Sequence, residues 1–208
     1  MGITIHYKGR INDPVLPVRN TQTGNIDRLI DEISDICEDM RWEYTIIEKD
    51  ENDIDHPPRL LVGQAVKGIV FSIHEGCEPV GFIFDKKGYL RSPISIPFYE
   101  ENDKHQLVVS VKTQFSSPDI HIVLIKLLRY IKSKYIENLE VIDEGEYWET
   151  SNKERLKYLF DFLNEKLNMI GDILKENKTN FSESDSPEQI ADKVEKLLLK
   201  YMFKNKKE

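Results

Sequence analysis

An α+β fold is what this sequence predicts: a mixed β-sheet of about five to six strands, helices mainly on one face, and a C-terminal helical hairpin. Three observations lead there. Several short runs alternate apolar and polar residues with period two, the pattern of half-buried strands. Two long segments carry apolar residues at helical spacing. After residue 150 the strand pattern stops, and two further helical segments follow, each opened by a capping-box sequence. The chain of 208 residues, 39% hydrophobic and 32% charged, is long enough for one good core and has the composition of a globular protein.

The elements follow in order. Ile3, Ile5 and Tyr7 alternate with Thr4, His6 and Lys8, which predicts a strand. Residues 12–24, with Pro14 and Pro17, read as a loop. Ile26, Leu29, Ile30, Ile33, Ile36, Cys37 and Met40 fall on one face of a helix from Ile26 to Met40. Strands are expected at 44–48, 67–74, 80–84, 89–91 and 107–114, with Asp85-Lys86-Lys87-Gly88 as a hairpin turn and breaks at Pro93 and Pro97. Ser117-Pro118-Asp119 reads as a helix start, with Ser as cap, Pro at the first position and Asp in the first turn. That helix runs to about Tyr135 and is expected to bury Ile120, Val123, Leu124, Leu127, Leu128 and Ile131. A short strand is expected at 139–142, and Tyr147-Trp148 reads as a last edge strand with its two rings on opposite faces.

Ser151-Asn152-Lys153-Glu154 and Ser186-Pro187-Glu188-Gln189 read as capping boxes. The first helix carries two apolar stripes, Leu156, Phe160, Leu163, Leu167, Ile170 and Leu174, and Tyr158, Phe162, Met169 and Ile173, which suggest burial on two sides. Residues 1–150 are therefore read as the core and 151–208 as a helical extension packed on it as one structural unit, with surface enough for a homo-oligomer through the C-terminal helices.

Charge excludes several functions. The net charge is −8, and residues 26–55 alone hold twelve acids and three bases. A second run, 137–149, holds six acids and no base. Nucleic acid and anionic lipid both require clustered Lys and Arg, so direct binding to either is not expected. No apolar run approaches the roughly 20 residues of a spanning helix, so no membrane span is expected. The chain enters a strand pattern at once, without a basic segment followed by an apolar one, so no secretory leader is expected and the default location is cytoplasmic. The two cysteines, Cys37 on a helix face and Cys77 in a loop, read as reduced thiols.

Chemistry-bearing residues are few. Gly-rich phosphate loops, paired-His metalloprotease motifs and serine-hydrolase elbows are missing. The acidic loop at Asp50, Asn52 and Asp53 lacks the glycine and distal Glu of a calcium loop. The densest stretch is His74-Glu75-Gly76-Cys77-Glu78, which reads first as a turn. His74 and Cys77 have usable zinc spacing, and with Glu78 and His121 they form an alternative metal or acid–base site. A second stretch joins Lys112, Ser116 and Ser117 to His121 at a helix start, where backbone N–H groups could hold an anion, although capping by Ser117 is the simpler reading. If the strands at 67–74 and 107–114 run the same way, the two stretches meet at one edge.

The row Asp27, Asp31, Asp35 and Asp39 forms an acidic stripe opposite the Ile-rich helix face. It reads as a solvated face or as a docking surface for a basic protein. The function expected from these features is that of a non-catalytic acidic binding or protein-interaction domain, in the manner of an inhibitor-type partner of a basic toxin, nuclease or ribosomal component. The alternative is a small metal-binding protein or enzyme built on the His/Cys/Glu cluster, with zinc as its metal; otherwise no cofactor is expected.

Overall fold

The computed structural model describes residues 2–11, 24–49, 66–92, 108–178, 181–182 and 184–204. The loops expected at 12–23 and 50–59, the acidic loop at Asp50 to Asp55, and the breaks at Pro93 and Pro97 lie outside the described residues. The elements are β1 (Thr4–Lys8), α1 (Asn25–Met40), β2 (Glu43–Lys49), β3 (Val66–Ser72), β4 (Val80–Asp85), β5 (Leu90–Arg91), β6 (Val109–Lys112), α2 (Pro118–Lys134), β7 (Glu140–Asp143), α3 (Tyr147–Thr150), α4 (Lys153–Glu176) and α5 (Pro187–Lys204). The chain divides into two compact units, Met1–Lys157 and Tyr158–Glu208, with the boundary inside α4.

The fold is α+β. Its strands form two sheets rather than the one mixed sheet expected, and every pairing is antiparallel. One sheet has the order β6-β1-β7 and the other β2-β3-β4-β5. They are joined where β1 runs on past Lys8: Leu90 N–H donates to Gly9 O (3.0 Å), Ile11 N–H donates to Gly88 O (2.9 Å), and Arg10 bridges Tyr89. Only β2-β3-β4-β5 joins strands consecutive in the chain; in the other sheet β1 lies between β6 and β7, which α2 connects across it.

Apart from a small separate cluster at Val66 and Ile83, the main hydrophobic core lies between the sheets and the helices of the first unit. Ile5 and Tyr7 of β1, Val109 and Val111 of β6, Ile69 and Phe71 of β3, and Phe82 and Phe84 of β4 enter it with Ile26, Leu29, Ile30 and Ile33 of α1 and Leu124, Ile125, Leu128 and Ile131 of α2. Aromatic rings thread it in a chain: Trp42 stacks on Phe71 (6.0 Å), Phe71 on Phe82 (6.3 Å), and Phe82 lies against Tyr7 (5.6 Å). Such pairs add roughly 0.5–1.5 kcal/mol each beyond area burial. The buried Tyr7 hydroxyl donates to Gly81 O (2.9 Å), which ties β1 to β4. Every residue of β4 is buried, as a central strand covered on both faces must be.

The β4–β5 hairpin forms where the sequence places it. Asp85 Oδ1 accepts the N–H of Lys87 (2.8 Å) and Tyr89 (2.9 Å), and Gly88 takes a φ of 80° that only glycine adopts freely. Asp85 Oδ2 holds Arg91, whose Nε lies 2.9 Å away, and both side chains are buried.

Three local expectations are corrected. The buried face of α2 is His121, Ile122, Leu124, Ile125, Leu128 and Ile131, while Ile120, Val123 and Leu127 are half-buried; the helix is rotated so that its second face also packs. Tyr147-Trp148 is the start of the short helix α3 and not an edge strand, because Asp143 gathers the N–H groups that follow it. The cap of α4 is Asn152, whose Oδ1 accepts Arg155 N–H (2.9 Å); Ser151 instead ends α3 in a left-handed conformation. The second capping box stands as read, with Ser186 N–H donating to Gln189 Oε1 (2.9 Å) and Gln189 N–H to Ser186 Oγ (3.3 Å).

In the second unit, Ile173 of α4 and Leu197 of α5 are buried, and Tyr201 OH donates to Glu176 Oε2 (3.0 Å). The second apolar stripe of α4 is not buried along its length: Tyr158, Phe162 and Met169 are exposed. Glu165 and Asp172 interrupt that stripe, and covering it would desolvate both carboxylates. No helix among the described residues is long and apolar enough to cross a membrane.

Candidate functional site

The two chemistry-bearing stretches do meet. After β3 the chain turns through His74–Glu78, and after β6 it turns through Thr113–Ser117 into α2. The strands belong to different sheets, so it is loop packing and not a shared sheet edge that joins them. Glu78 N–H donates to Lys112 O (3.0 Å), and Glu78 Oε2 accepts Lys112 N–H (2.8 Å). Gly76 lies flat on the Phe115 peptide: a Cβ built there would sit 2.2 Å from Phe115 O. No side chain larger than hydrogen fits, which explains the glycine better than turn freedom does.

Within this junction His74, Glu78, Ser116 and Ser117 all bond backbone groups. The exposed His74 accepts Gly76 N–H on Nδ1 (2.9 Å), and its carbonyl accepts Cys77 N–H (3.0 Å). Burial pushes the half-buried Cys77 thiol up, against a hydrogen bond from Ser116 that acts the other way. Ser116 Oγ donates to Thr113 O (2.7 Å). Ser117 Oγ accepts Ile120 N–H (3.4 Å), the capping role read from sequence, and Asp119 in the first turn pairs with Lys153 (2.8 Å). The helix start is thus already occupied by its own chain. Phe115, next to these groups, is exposed.

His121 does not join the His74–Cys77–Glu78 cluster. It is fully buried under the junction, with Nδ1 2.8 Å from Thr113 Oγ1 and Nε2 3.1 Å from Asp143 Oδ1. Among the described residues no group of three or more His, Cys, Asp or Glu is placed to hold a metal ion. The arrangement brings together His74, Cys77, Glu78, Lys112, Ser116 and Ser117, and separates His121 from them.

Thr113, His121 and Asp143 stand in the order hydroxyl, imidazole, carboxylate, which is the order of a nucleophile, base and orienting acid. All three side chains are sealed from solvent, so no substrate atom reaches the hydroxyl. Their work is to hold the protein together. A lone pair on Nε2 would face a carboxylate oxygen, so Nε2 carries the proton. Thr113 Oγ1 also lies 3.2 Å from Ile3 O and can donate to it. Asp143 then spends its remaining lone pairs on the chain that follows: Oδ1 accepts Gly145 N–H (2.7 Å), and Oδ2 accepts Tyr147 N–H (2.8 Å) and Trp148 N–H (2.9 Å). Burial alone would raise the Asp143 carboxyl; the His121 contact and the backbone N–H groups outweigh it and hold the carboxyl below its usual value. Gly145 closes the network, since a Cβ there would lie 2.9 Å from His121 Nε2 and 2.7 Å from Leu156 Cδ1. Sequence reading missed Thr113 and Asp143. The spacing Asp143-x-Gly145 was the available signal, an Asp able to accept N–H groups just downstream.

The acidic stripe is divided by the fold. Asp27 binds Lys67 Nζ (2.7 Å), which Glu48 also approaches (2.8 Å), and it accepts Gly24 N–H at the start of α1 (3.1 Å). Glu32 is bound by Lys134, Tyr130 OH (2.8 Å) and Tyr135 OH (2.7 Å) of α2. Burial would raise the Glu32 carboxyl, but these partners together lower it. Asp31, Asp35 and Asp39 are exposed and, among the described residues, have no ion-pair partner. No protein-family model, no curated protein and no solved structure matches the chain.

Proposed function

We propose that this is a protein-interaction domain that presents the outer face of α1 to a basic partner protein. The observation that carries the reading is the division just described. The α1 acids that serve the fold, Asp27 and Glu32, are bound to bases of other elements, whereas Asp31, Asp35 and Asp39 point to solvent along one line. Like charges four residues apart cost about 0.2–0.5 kcal/mol per pair in a helix. The chain retains that cost, which is small beside the burial of Ile26, Leu29, Ile30 and Ile33 at roughly 1.5–3 kcal/mol each. A row that weakens its own helix slightly is explained by a partner that gains from it.

The test uses the purified chain as bait and a captured, purified partner in titration. The triple variant Asp31→Asn, Asp35→Asn, Asp39→Asn is expected to weaken binding at least tenfold, chiefly through slower association, while leaving the fold as stable or slightly more so. Wild-type affinity is expected to fall steeply between about 0.05 and 0.3 M salt, since exposed charges are screened over about 8 Å at physiological ionic strength. A partner whose affinity ignores both salt and the triple variant makes the row a solvated face and ends this reading.

A further inference from the structure

We infer that the free edge of β2 is a strand-addition site for an extended basic segment of the partner. This rests on the acidic-face reading and specifies how such a partner binds. Among the described residues β2 is paired on one side only, with β3, and the pairing runs without a bulge over all seven residues from Glu43↔Ser72 to Lys49↔Val66. Its middle is open on both faces. Thr45 and Ile46 point to opposite sides, both are exposed, and Ile46 keeps 49% of its surface in solvent.

Exposed edges are normally blunted by shortness, Pro, bulges or a charge in mid-strand. The other sheet edges here are short: β5 has two residues, and β6 and β7 four each. β2 has seven, and its centre, Tyr44-Thr45-Ile46-Ile47, contains no charge, Pro or Gly and is built of strong strand formers. Unsatisfied backbone N–H and C=O groups on such an edge are a template for one more strand.

Charge selects what that strand is. Glu43 and Glu48 close the two ends of the uncharged centre, and both are exposed. Glu48 shares the single charge of Lys67 with Asp27, so the trio stays net negative. Glu38, whose carboxylate accepts Tyr44 OH (3.0 Å), and Asp39 flank the strand from the end of α1, together with Met40, which is 54% exposed. An added strand that answers Glu43 and Glu48 carries two basic residues five positions apart, on opposite faces, with apolar or β-branched residues between them. An acidic strand, or a second copy with its own acidic helix, meets like charge instead, and a neutral strand leaves both carboxylates unanswered.

The probe is a labelled, blocked octapeptide, Gly-Lys-Val-Thr-Val-Thr-Lys-Gly, followed by fluorescence anisotropy at low salt on the full chain. Saturable binding is expected. It should weaken at least tenfold when alternate peptide nitrogens are methylated, when both Lys are replaced by Glu, and in the protein variant Ile46→Lys, whose fold is checked by circular dichroism. Absence of saturable binding overturns the inference. Equal binding of the methylated peptide also overturns it but leaves the acidic-face reading standing, because charge alone then holds the probe. Self-association of the chain without peptide, abolished by Ile46→Lys, would make the occupant a second copy and overturn the basic segment.

Discussion

Replacing Asp143 by Asn tests whether the buried Thr113–His121–Asp143 network supports the fold. The carboxylate accepts three backbone N–H groups, from Gly145, Tyr147 and Trp148, and faces His121 Nε2. Asn keeps one acceptor oxygen. With that oxygen toward Tyr147 and Trp148, the new amide points its hydrogens at Gly145 N–H and at the Nε2 proton. Two contacts to the carboxylate are lost, and two buried donors, Gly145 N–H and His121 Nε2–H, are stranded at about 1–3 kcal/mol each. Asp143→Asn is therefore expected to destabilise the first unit by about 3–5 kcal/mol in urea unfolding. A pH series adds a sign. The His121 contact and the backbone N–H groups hold the Asp143 carboxyl below the ordinary aspartate range in the folded state, so its contribution is full above about pH 5 and falls away as pH drops through about 4 and below. The gap between wild type and Asp143→Asn should narrow over that acid range, because the variant has no proton to take up there. A variant within about 0.5 kcal/mol of wild type at neutral pH, or a gap that stays constant through the acid range, refutes the network as a stabilising device.

Two other substitutions bear on the junction and the hairpin. Gly76→Ala drives a Cβ to 2.2 Å from Phe115 O, a backbone atom that cannot swing away, so a loss of about 1–3 kcal/mol is expected, and an unchanged melting temperature would show that the His74–Glu78 turn does not rest on the Thr113–Ser117 loop. Arg91→Met strands the buried Asp85 carboxylate and is expected to cost about 3–5 kcal/mol; adding Asp85→Asn, which keeps an acceptor for Lys87 and Tyr89 N–H, should recover part of that loss, and a double variant as unstable as the sum of the singles would deny the pair its coupling.

Local pattern in the sequence was enough for most elements and their caps. The period of two at Ile3, Ile5 and Tyr7, the helical spacing from Ile26 to Cys37, the Asp85–Gly88 hairpin, the Ser117 cap and the Ser186–Gln189 box all stand in the structure, because each depends on residues within a few positions of one another. So does the convergence of His74–Glu78 with Lys112–Ser117, although the reason given for it, a common strand direction in one sheet, does not hold. What local pattern could not decide was everything set by partners distant in the chain. The split into two antiparallel sheets depends on β1 pairing with β6 and β7, more than a hundred residues away. Trp148 became helical because of Asp143, an acid that the surrounding run made look like surface charge. His121 was set apart from the candidate metal cluster by Thr113 and Asp143. The four aspartates of α1 have one spacing and one chemistry in the sequence; Lys67, brought to Asp27 by β3, makes that carboxylate structural, while Asp31, Asp35 and Asp39 stay exposed. Spacing along the chain sets which face a side chain takes, but burial and charge pairing are settled by what the rest of the chain brings to that face.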